Sequence, residues 1–404
     1  MLIMIRLFVY REVYAMKILG IVAEYDPFHR GHLHHIQEAR RLLSPDLVFV
    51  VLSPCIKQRG ELSLLSPSDR ARCALEAGAD AVFCLPVSWT VRDAEHYALG
   101  AVSLLARLGA GYLAFGAETP DVNLLERAAD LLESPPPAFE TALKSGLSAG
   151  SGYPAAFSAA LSSVLPEAEG LLDRPNNTLA VCYLRAVRRL GLSLTPVLIL
   201  RKGSYHAAAI DPDCPSASAL REALLQGNYA PAYRAVPEYT AQLLRSRFLE
   251  RRIPDERILD HLLLSRLRSM SDQEYSSLPD LSEGMENALR VAASAANTRR
   301  ELIASLSGKR YPAARISRLC ACALLGLTKD RLENQSLPDH ALLLGLRRNP
   351  EMTVLWKSLS IPVISSFADW KVFAAPSDLA AWRLWAQCCR LPNTLPFTEK
   401  VVSL

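Results

Sequence analysis

GIVAEYDPFHRGHLHHIQEARRLL, from Gly20 to Leu43, decides how the rest of the chain is read. It opens inside the apolar run KILGIVAEY (Lys17–Tyr25), whose β-branched residues describe a strand buried on both faces. It closes on a segment with apolar residues at Leu33, Ile36, Ala39 and Leu43, which is helical spacing. Between them, four of the chain's eight histidines fall within seven residues: His29, His32, His34 and His35. Strand, short loop, helix is the opening of a parallel α/β unit.

The pattern repeats outward. DLVFVVLS (Asp46–Ser53) is a second buried strand, and DAVFCLP (Asp80–Pro86), GYLAFGAE (Gly111–Glu118) and LTPVLILR (Leu194–Arg201) are further strands. SPSDRARCALEAGA is a helix with Ser66 as its cap and Pro67 at its first position. AEHYALGAVSLLARLGA, PNNTLAVCYLRAVRRLG and CPSASALREALLQG are also helices. The expected architecture is a parallel α/β sheet with right-handed crossovers over residues 16–230. ESPPPAFETALKSGLSAGSGYPAA, rich in proline, glycine and serine, is expected to be an exposed loop. From about Pro231, three- and four-residue spacing predicts an all-helical second domain over 231–404, with almost no strand. Trp356, Trp370, Trp382 and Trp385 in its last part fit a packed core or a partner surface equally well.

Composition bounds the function loosely. The net charge of +4 over 404 residues is weak evidence for a nucleic-acid partner. The nine cysteines include no C-x-x-C pair, so a structural zinc site is not expected, and reduced thiols point to the cytoplasm. MLIMIRLFVYREVYA, residues 1–15, is too short an apolar run for a membrane span and a poor signal peptide. It is read as a loosely ordered, non-native extension, with Met16 as the expected true start.

The histidine cluster admits two chemistries. As a metal site it lacks the carboxylate–histidine pattern and a third convergent ligand, so no metal ligand is assigned. As an anion site it is well formed. Ligands of open parallel sheets bind at the carboxyl ends of strands, and a helix N-terminus there offers free N–H groups and a positive dipole end. Gly31 permits close backbone approach and Pro27 fixes the turn. His29 and His32 add two donors suited to stabilising attack at the α-phosphorus of ATP. His34 and His35 are expected to face solvent or the sheet.

At this point a resemblance is plain. His29-Arg30-Gly31-His32 resembles the HxGH signature of a nucleotidyltransferase superfamily, and VAEYDPFHRGHLHHI is similar to the bacterial tRNA(Met) cytidine acetate ligases. KQRGELSLLSPSDRARCALEAGADAVFCLP, YALGAVSLLARLG, FGAE, SGYPAAF, RPNNTLAVCYLRAV, LILRKGSYH, GMENALRVAA and GKRYPAARISRL continue it in order, over roughly residues 16–345. The resemblance implies an enzyme that uses ATP and acetate to form acetyl-adenylate. It further implies transfer of the acetyl group to N4 of the wobble cytidine of elongator tRNA(Met), with Mg²⁺ accompanying ATP. It implies catalytic roles for His29 and His32, and ATP contacts at Val22, Glu24, Tyr25, Phe28, Gly31, Gly116, Asn176 and Arg201.

Other residues carry readings of their own. Arg59, in the loop with Gln58 just after the second strand, suits a small carboxylate such as acetate, or a phosphate. Ser216 and Arg221, in SASALRE, suit phosphate contact and neutralisation of departing pyrophosphate. Asn176 and Asn177 precede a helix, where one of them suits an N-cap. Lys309, Arg310, Arg315 and Arg318 around Tyr311, with Arg299 and Arg300, suit an RNA backbone and an unstacked base. Lys202 and His206 make the loop after Arg201 basic.

Two departures stand out. The family usually has Asn at the position of Asp26, and Ser-Gly where this chain has Ser53-Pro54-Cys55. A carboxylate close to ATP phosphates weakens binding unless it meets a cation, and Pro54 stiffens the loop. Two rival functions remain: a nucleotidyltransferase joining AMP to a phosphorylated small molecule, and a non-catalytic RNA-binding protein with a degenerate ATP site. Acetate-dependent ATP–pyrophosphate exchange separates all three.

Overall fold

The apolar runs become the parallel centre of one eight-stranded sheet. In the computed structural model, which describes residues 16–201, 211, 215–281, 284–308, 311–349, 352 and 355–404, they are β1 (Ile18–Ala23), β2 (Leu47–Leu52), β3 (Ala81–Cys84), β4 (Tyr112–Ala117) and β5 (Thr195–Leu200). The order is β5-β4-β1-β2-β3, all parallel. The chain moves one way from β1 to β3 and the other way from β4 to β5. The order therefore reverses between β1 and β4, and a crevice opens there at the carboxyl ends of both strands. The reading of residues 1–15 lies outside the described residues.

Alternation along the strands sends side chains into two cores. Phe49 and Val51 face one side with α3 (Ala94–Arg107), α4 (Val122–Glu133) and α7 (Pro175–Arg189). Val48, Val50 and Leu52 face the other, with α1 (Arg30–Leu43), α2 (Pro67–Glu76) and the late helix α13 (Pro376–Cys388). In α2, Ser66 accepts the Asp69 N–H and Pro67 takes the first position, as its sequence predicts. Gly20 lets α3 press close on β1: a Cβ there would lie 2.8 Å from Leu105 Cδ1.

Two expectations differ from the structure. The proline-rich segment is not a loop but two helices, α5 (Pro137–Ser148) and α6 (Tyr153–Val164). Pro137 and Pro154 sit in first turns, where the missing N–H costs nothing, and Pro136 is the N-cap of α5. Phe139 packs edge-on against Phe157 at 5.3 Å. The second half is helical through α8 (Ala217–Leu225), α9 (Glu256–Ser269), α10 (Met285–Ala295), α11 (Arg299–Leu306) and α12 (Ala313–Leu325). It then returns to the sheet. β6 (Ala341–Leu346) pairs antiparallel with β3, and short β7 (Val363–Ile364) and β8 (Val402–Ser403) pair with β6. ALLLGL is a six-residue apolar run too short to separate strand from buried helix by periodicity.

The helices α9 to α12 share a core around Leu263, Leu289, Leu302 and Leu319. Trp382 and Trp385 are 0% and 1% exposed and Trp370 is buried with them, so these three tryptophans are core. Trp385 Nε1 donates to the Ser63 carbonyl at 2.8 Å, beneath the loop that follows β2.

Candidate nucleotide site

His29 is the N-cap of α1, with φ −130° and ψ 175°. Its Nδ1 accepts the Gly31 N–H at 3.1 Å, and His32 Nδ1 accepts the His29 N–H at 3.3 Å. Two imidazoles thus cap the helix reciprocally, a task usually given to Ser/Thr and Glu. The rings stack at 3.6 Å between centroids, 18° from parallel. Burial, with the Arg201 guanidinium adding to it, pushes His29 down to about 3. Burial, His29 and Arg201 hold His32 well below its ordinary range. Both rings are therefore neutral at pH 7. Because Nδ1 accepts in each, the single proton sits on Nε2, leaving each ring one outward N–H donor.

His34 is exposed. His35 is half-buried against the sheet, hydrogen-bonded to the backbone of Phe115 in β4, and pushed down to about 4 chiefly by burial. That fastens the sheet-facing side of α1 beside the end of β4.

Gly116 lies inside β4, paired with Ile199 of β5, so positive φ is not the reason for glycine. The reason is space: a Cβ would lie 3.1 Å from Arg201 Cγ. Arg201, just past β5, donates from Nη1 to Asn176 Oδ1 at 2.9 Å. The charge of Arg201 reaches His29, His32 and His35. Gly116, Asn176 and Arg201 thus converge on the two imidazoles across the β1–β4 crevice.

The two asparagines divide their labour, and neither is the N-cap: α7 begins at Pro175, with Arg174 as an N-cap that makes no side-chain bond. Asn177 is fully buried, and its Oδ1 accepts the N–H groups of Glu118 and Thr119 at 2.9 and 3.1 Å. It fastens α7 to the end of β4. Asn176 donates to Glu118 Oε1 and faces Arg201.

Around the β1–α1 loop, Tyr25 and Phe28 are buried edge-on at 4.8 Å, so their side chains belong to the core. Val22 and Glu24 are half-buried. Glu24 Oε1 accepts the Gln58 N–H at 2.7 Å, and Gln58 Nε2 donates to the Arg92 carbonyl at 2.7 Å. Gln58 is therefore tied to the scaffold at the rim of the crevice, while Arg59 is exposed. Gly60, at φ 75°, abuts α12; a Cβ would lie 2.5 Å from the Ser317 carbonyl oxygen.

Ser216 takes the N-cap position of α8 but makes no side-chain cap bond. Arg221, one turn further on, points its Nη1 at Asp26 Oδ2, 3.1 Å away, and its Nη2 at Glu256 Oε1, 3.2 Å away. Asp26 also meets Lys57 Nζ at 3.2 Å. The extra carboxylate has its cations. Sequence reasoning did not single out Lys57, although a lysine in the loop facing an unusual aspartate was a usable signal. It also missed Arg70, fully buried, whose guanidinium donates to the carbonyls of Glu24 (2.7 Å), Pro54 (2.6 Å) and Leu65 (3.3 Å) and so locks three loop segments together.

Of the basic cluster, Lys309 and Arg310 lie outside the described residues, as do Lys202 and His206. Arg315 lies over the Tyr311 ring at 5.4 Å and donates from Nε to the Asp280 carbonyl at 3.2 Å. Arg299 Nη1 donates to Ser317 Oγ at 3.1 Å. Ser317, which accepts from Arg299, is also the residue of α12 whose carbonyl meets Gly60. Among the described residues no three His, Cys, Asp or Glu side chains converge as a metal cage, and no helix is long and apolar enough to cross a membrane.

The family model described as HIGH Nucleotidyl Transferase matches residues 16–390. The chain is 32% identical over 357 residues to the tRNA(Met) cytidine acetate ligase of Fervidobacterium nodosum, covering 87% of this chain and 84% of that protein. It is 32% identical over 399 residues to that of Acetivibrio thermocellus, covering 93% and 96%. Crystal structures of Thermotoga maritima TmcAL superpose with TM-scores of 0.90 for the apo form and 0.87 for the form bound with alpha-thio ATP. Each has 26% identity and covers 96% of this chain and all of that one. A crevice built on two reciprocally capping imidazoles, matched over nearly the whole length in both sequence and fold, places this chain in the HIGH nucleotidyl transferase family and, within it, among the tRNA(Met) cytidine acetate ligases.

Proposed function

We propose that the protein is an ATP-dependent acetate ligase that acetylates N4 of the wobble cytidine of elongator tRNA(Met). The observation that carries this reading is the pair of neutral imidazoles at the N-terminus of α1, their Nδ1 atoms occupied and one N–H left on each. Such donors suit the crowded phosphorus of an in-line displacement, where charge builds on oxygens and preorganised hydrogen bonds count most.

In the first step an acetate oxygen attacks the α-phosphorus, the bond to the bridging oxygen breaks, and pyrophosphate leaves. His29 and His32 donate to the phosphate oxygens as their charge grows. The Gly31 N–H lies at the same helix start. Gly116 leaves the end of β4 open for the nucleoside, while Asn176 and Arg201 hold it from the β5 side. Val22, Glu24, Tyr25 and Phe28 contribute chiefly backbone and shape, since the two aromatic side chains are buried. Ser216 and Arg221 receive pyrophosphate, and Gln58 and Arg59 flank acetate. Mg²⁺ would accompany ATP and supply charge neutralisation at the phosphates rather than occupy a cage of protein side chains.

In the second step the cytidine N4 amine attacks the acetyl carbonyl. AMP leaves as the carbonyl re-forms, and the amine loses a proton. The tRNA lies along the basic side of α12, with Arg315 and Tyr311, and with Lys309 and Arg310 assigned from sequence. α12 itself meets the Gln58–Gly60 loop at Ser317, beside the rim of the crevice. A cytoplasmic location follows from the substrate and agrees with free, buried cysteines.

Mass spectrometry of nucleosides from purified tRNA incubated with enzyme, ATP and acetate tests the reading. N4-acetylcytidine, dependent on both ATP and acetate, is the expected product. Unmodified tRNA from a protein that binds ATP refutes it.

A further inference from the structure

Asp26 sits in the β1–α1 loop, three residues ahead of His29, and is 3% exposed. Its Oδ1 accepts the Leu64 N–H at 2.6 Å. Its Oδ2 is shared by two cations, Lys57 Nζ at 3.2 Å and Arg221 Nη1 at 3.1 Å. Lys57 is itself buried and bridges to Glu61 at 3.0 Å; Arg221 bridges to Glu256 at 3.2 Å. The result is an alternating row, Glu61–Lys57–Asp26–Arg221–Glu256, joining the loops after β1 and β2 to α8 and the start of α9.

The two cations are not equivalent. Arg221 lies one turn into a helix whose uncapped start, Ser216, is among the residues assigned to the phosphates. Lys57 lies on the opposite loop, its ammonium enclosed by Asp26 and Glu61. Burial alone would drive Asp26 toward protonation. The charges of Lys57, Arg221 and Arg70 and the Leu64 N–H outweigh it and hold the carboxyl below its ordinary range. Without Lys57, the Oδ2 of Asp26 would keep Arg221 as its one ion-pair partner, and the loop would carry one more negative charge beside an incoming triphosphate.

We propose that Lys57 is a positioning residue for ATP: by neutralising Asp26 it leaves Arg221, oriented by the same carboxylate, available to the phosphates. The inference rests on the proposed ATP site. It adds a residue outside the assigned ATP-binding set and makes Asp26 and Lys57 a mutually dependent pair.

Calorimetric titration of ATP into wild type, Lys57→Met, Asp26→Asn and the doubly neutral Asp26→Asn/Lys57→Met tests it, with circular dichroism confirming the fold. Lys57→Met is expected to weaken ATP binding about tenfold, the scale of one uncompensated charge at a partly screened site. The doubly neutral protein is expected to return to within about threefold of wild type. Asp26→Asn alone is expected to bind ATP no more weakly but to lower kcat, because Arg221 loses its guide.

A folded Lys57→Met that binds ATP like a wild type that does bind it overturns the inference and leaves the proposed function standing. A wild type that does not bind ATP overturns both. Should Lys57→Met fail to fold, Lys57→Arg and the doubly neutral protein decide: both are expected within about threefold of wild type. A doubly neutral protein that folds but loses tenfold or more in ATP affinity overturns the inference.

Discussion

The imidazoles of His29 and His32 lie 3.6 Å apart, nearly parallel, and each uses Nδ1 to cap the helix that carries them both. One geometry therefore fixes the tautomer, the direction of the remaining N–H and the start of α1. Substituting either ring should damage chemistry more than folding. His29→Asn keeps a capping oxygen but loses the outward donor. It is expected to lower the rate of ATP–pyrophosphate exchange by ~10²–10³, with ATP affinity changed far less. His32→Gln, which keeps an acceptor for the His29 N–H, should behave alike. A similar loss in affinity and none in rate would place the rings outside the transition state.

Gly116 is a matter of volume. A Cβ there meets Arg201 Cγ at 3.1 Å, and the branched side chain of valine would push that arginine off Asn176. Gly116→Val sits in a paired strand where valine is favoured, so the fold should survive. ATP affinity is expected to fall by ~10-fold, the loss of one charge-assisted contact. Unchanged titration of the folded variant would remove Gly116 and Arg201 from the nucleotide site.

Three imidazoles held below their ordinary range make the protein sensitive to mild acid. His29 and His35 are pushed down to about 3 and about 4, and His32 well below its ordinary range. The unfolded chain gains protons at these sites below its ordinary pKa, while the folded chain does not. Stability is therefore full above ~6.5 and falls with pH toward those values, by up to ~1.4 kcal/mol per pH unit for each ring. Asp378 works the other way. Burial pushes it up to about 6, so its protonation favours the fold as pH drops below that value. The net expectation between pH 6 and 5 is the slope of about two rings. Urea unfolding at pH 7.5, 6 and 5 measures it, and His35→Gln should flatten it by about one ring's share.

Arg70 is a strut rather than a chemical group. Arg70→Met leaves the carbonyls of Glu24, Pro54 and Leu65 without their donor in the interior. A loss of ~3 kcal/mol or more in unfolding free energy is expected, since several buried acceptors go unpaired together. Arg70→Lys should recover little, because one ammonium cannot span three carbonyls as the guanidinium fork does. A urea midpoint unmoved by either change would show that the loops stand without it.

Much of this was legible in the sequence because it is local. Apolar runs without alternation mark strands, and all five parallel strands were readable that way, although β5, at the sheet's edge, is covered far less than the others. Ser66-Pro67 marks a helix start by its own chemistry. His29 and His32 were readable because strand, turn and helix frame them within a dozen residues. The long-range parts were not. The return of Ala341–Leu346 to the edge of β3 depends on pairing across more than half the chain, and a short apolar run carries no sign of its partner. The prolines of 134–154 misled because proline marks a helix's first turn as readily as a loop. Lys57 offered only the hint of a lysine in a loop with an unusual aspartate nearby in the fold; its pairing with Asp26 became plain with the structure.

The late strand β6 covers the β3 edge, and Trp382 and Trp385 complete the core behind β2. During synthesis the ribosome has made the whole nucleotide crevice long before it reaches these residues. The nascent amino-terminal part must wait with an unzipped margin and a half-filled interior. Release of the last sixty or so residues is thus the step that locks the enzyme shut, and a carboxyl-terminal truncation should yield aggregates rather than a smaller ATP-binding protein.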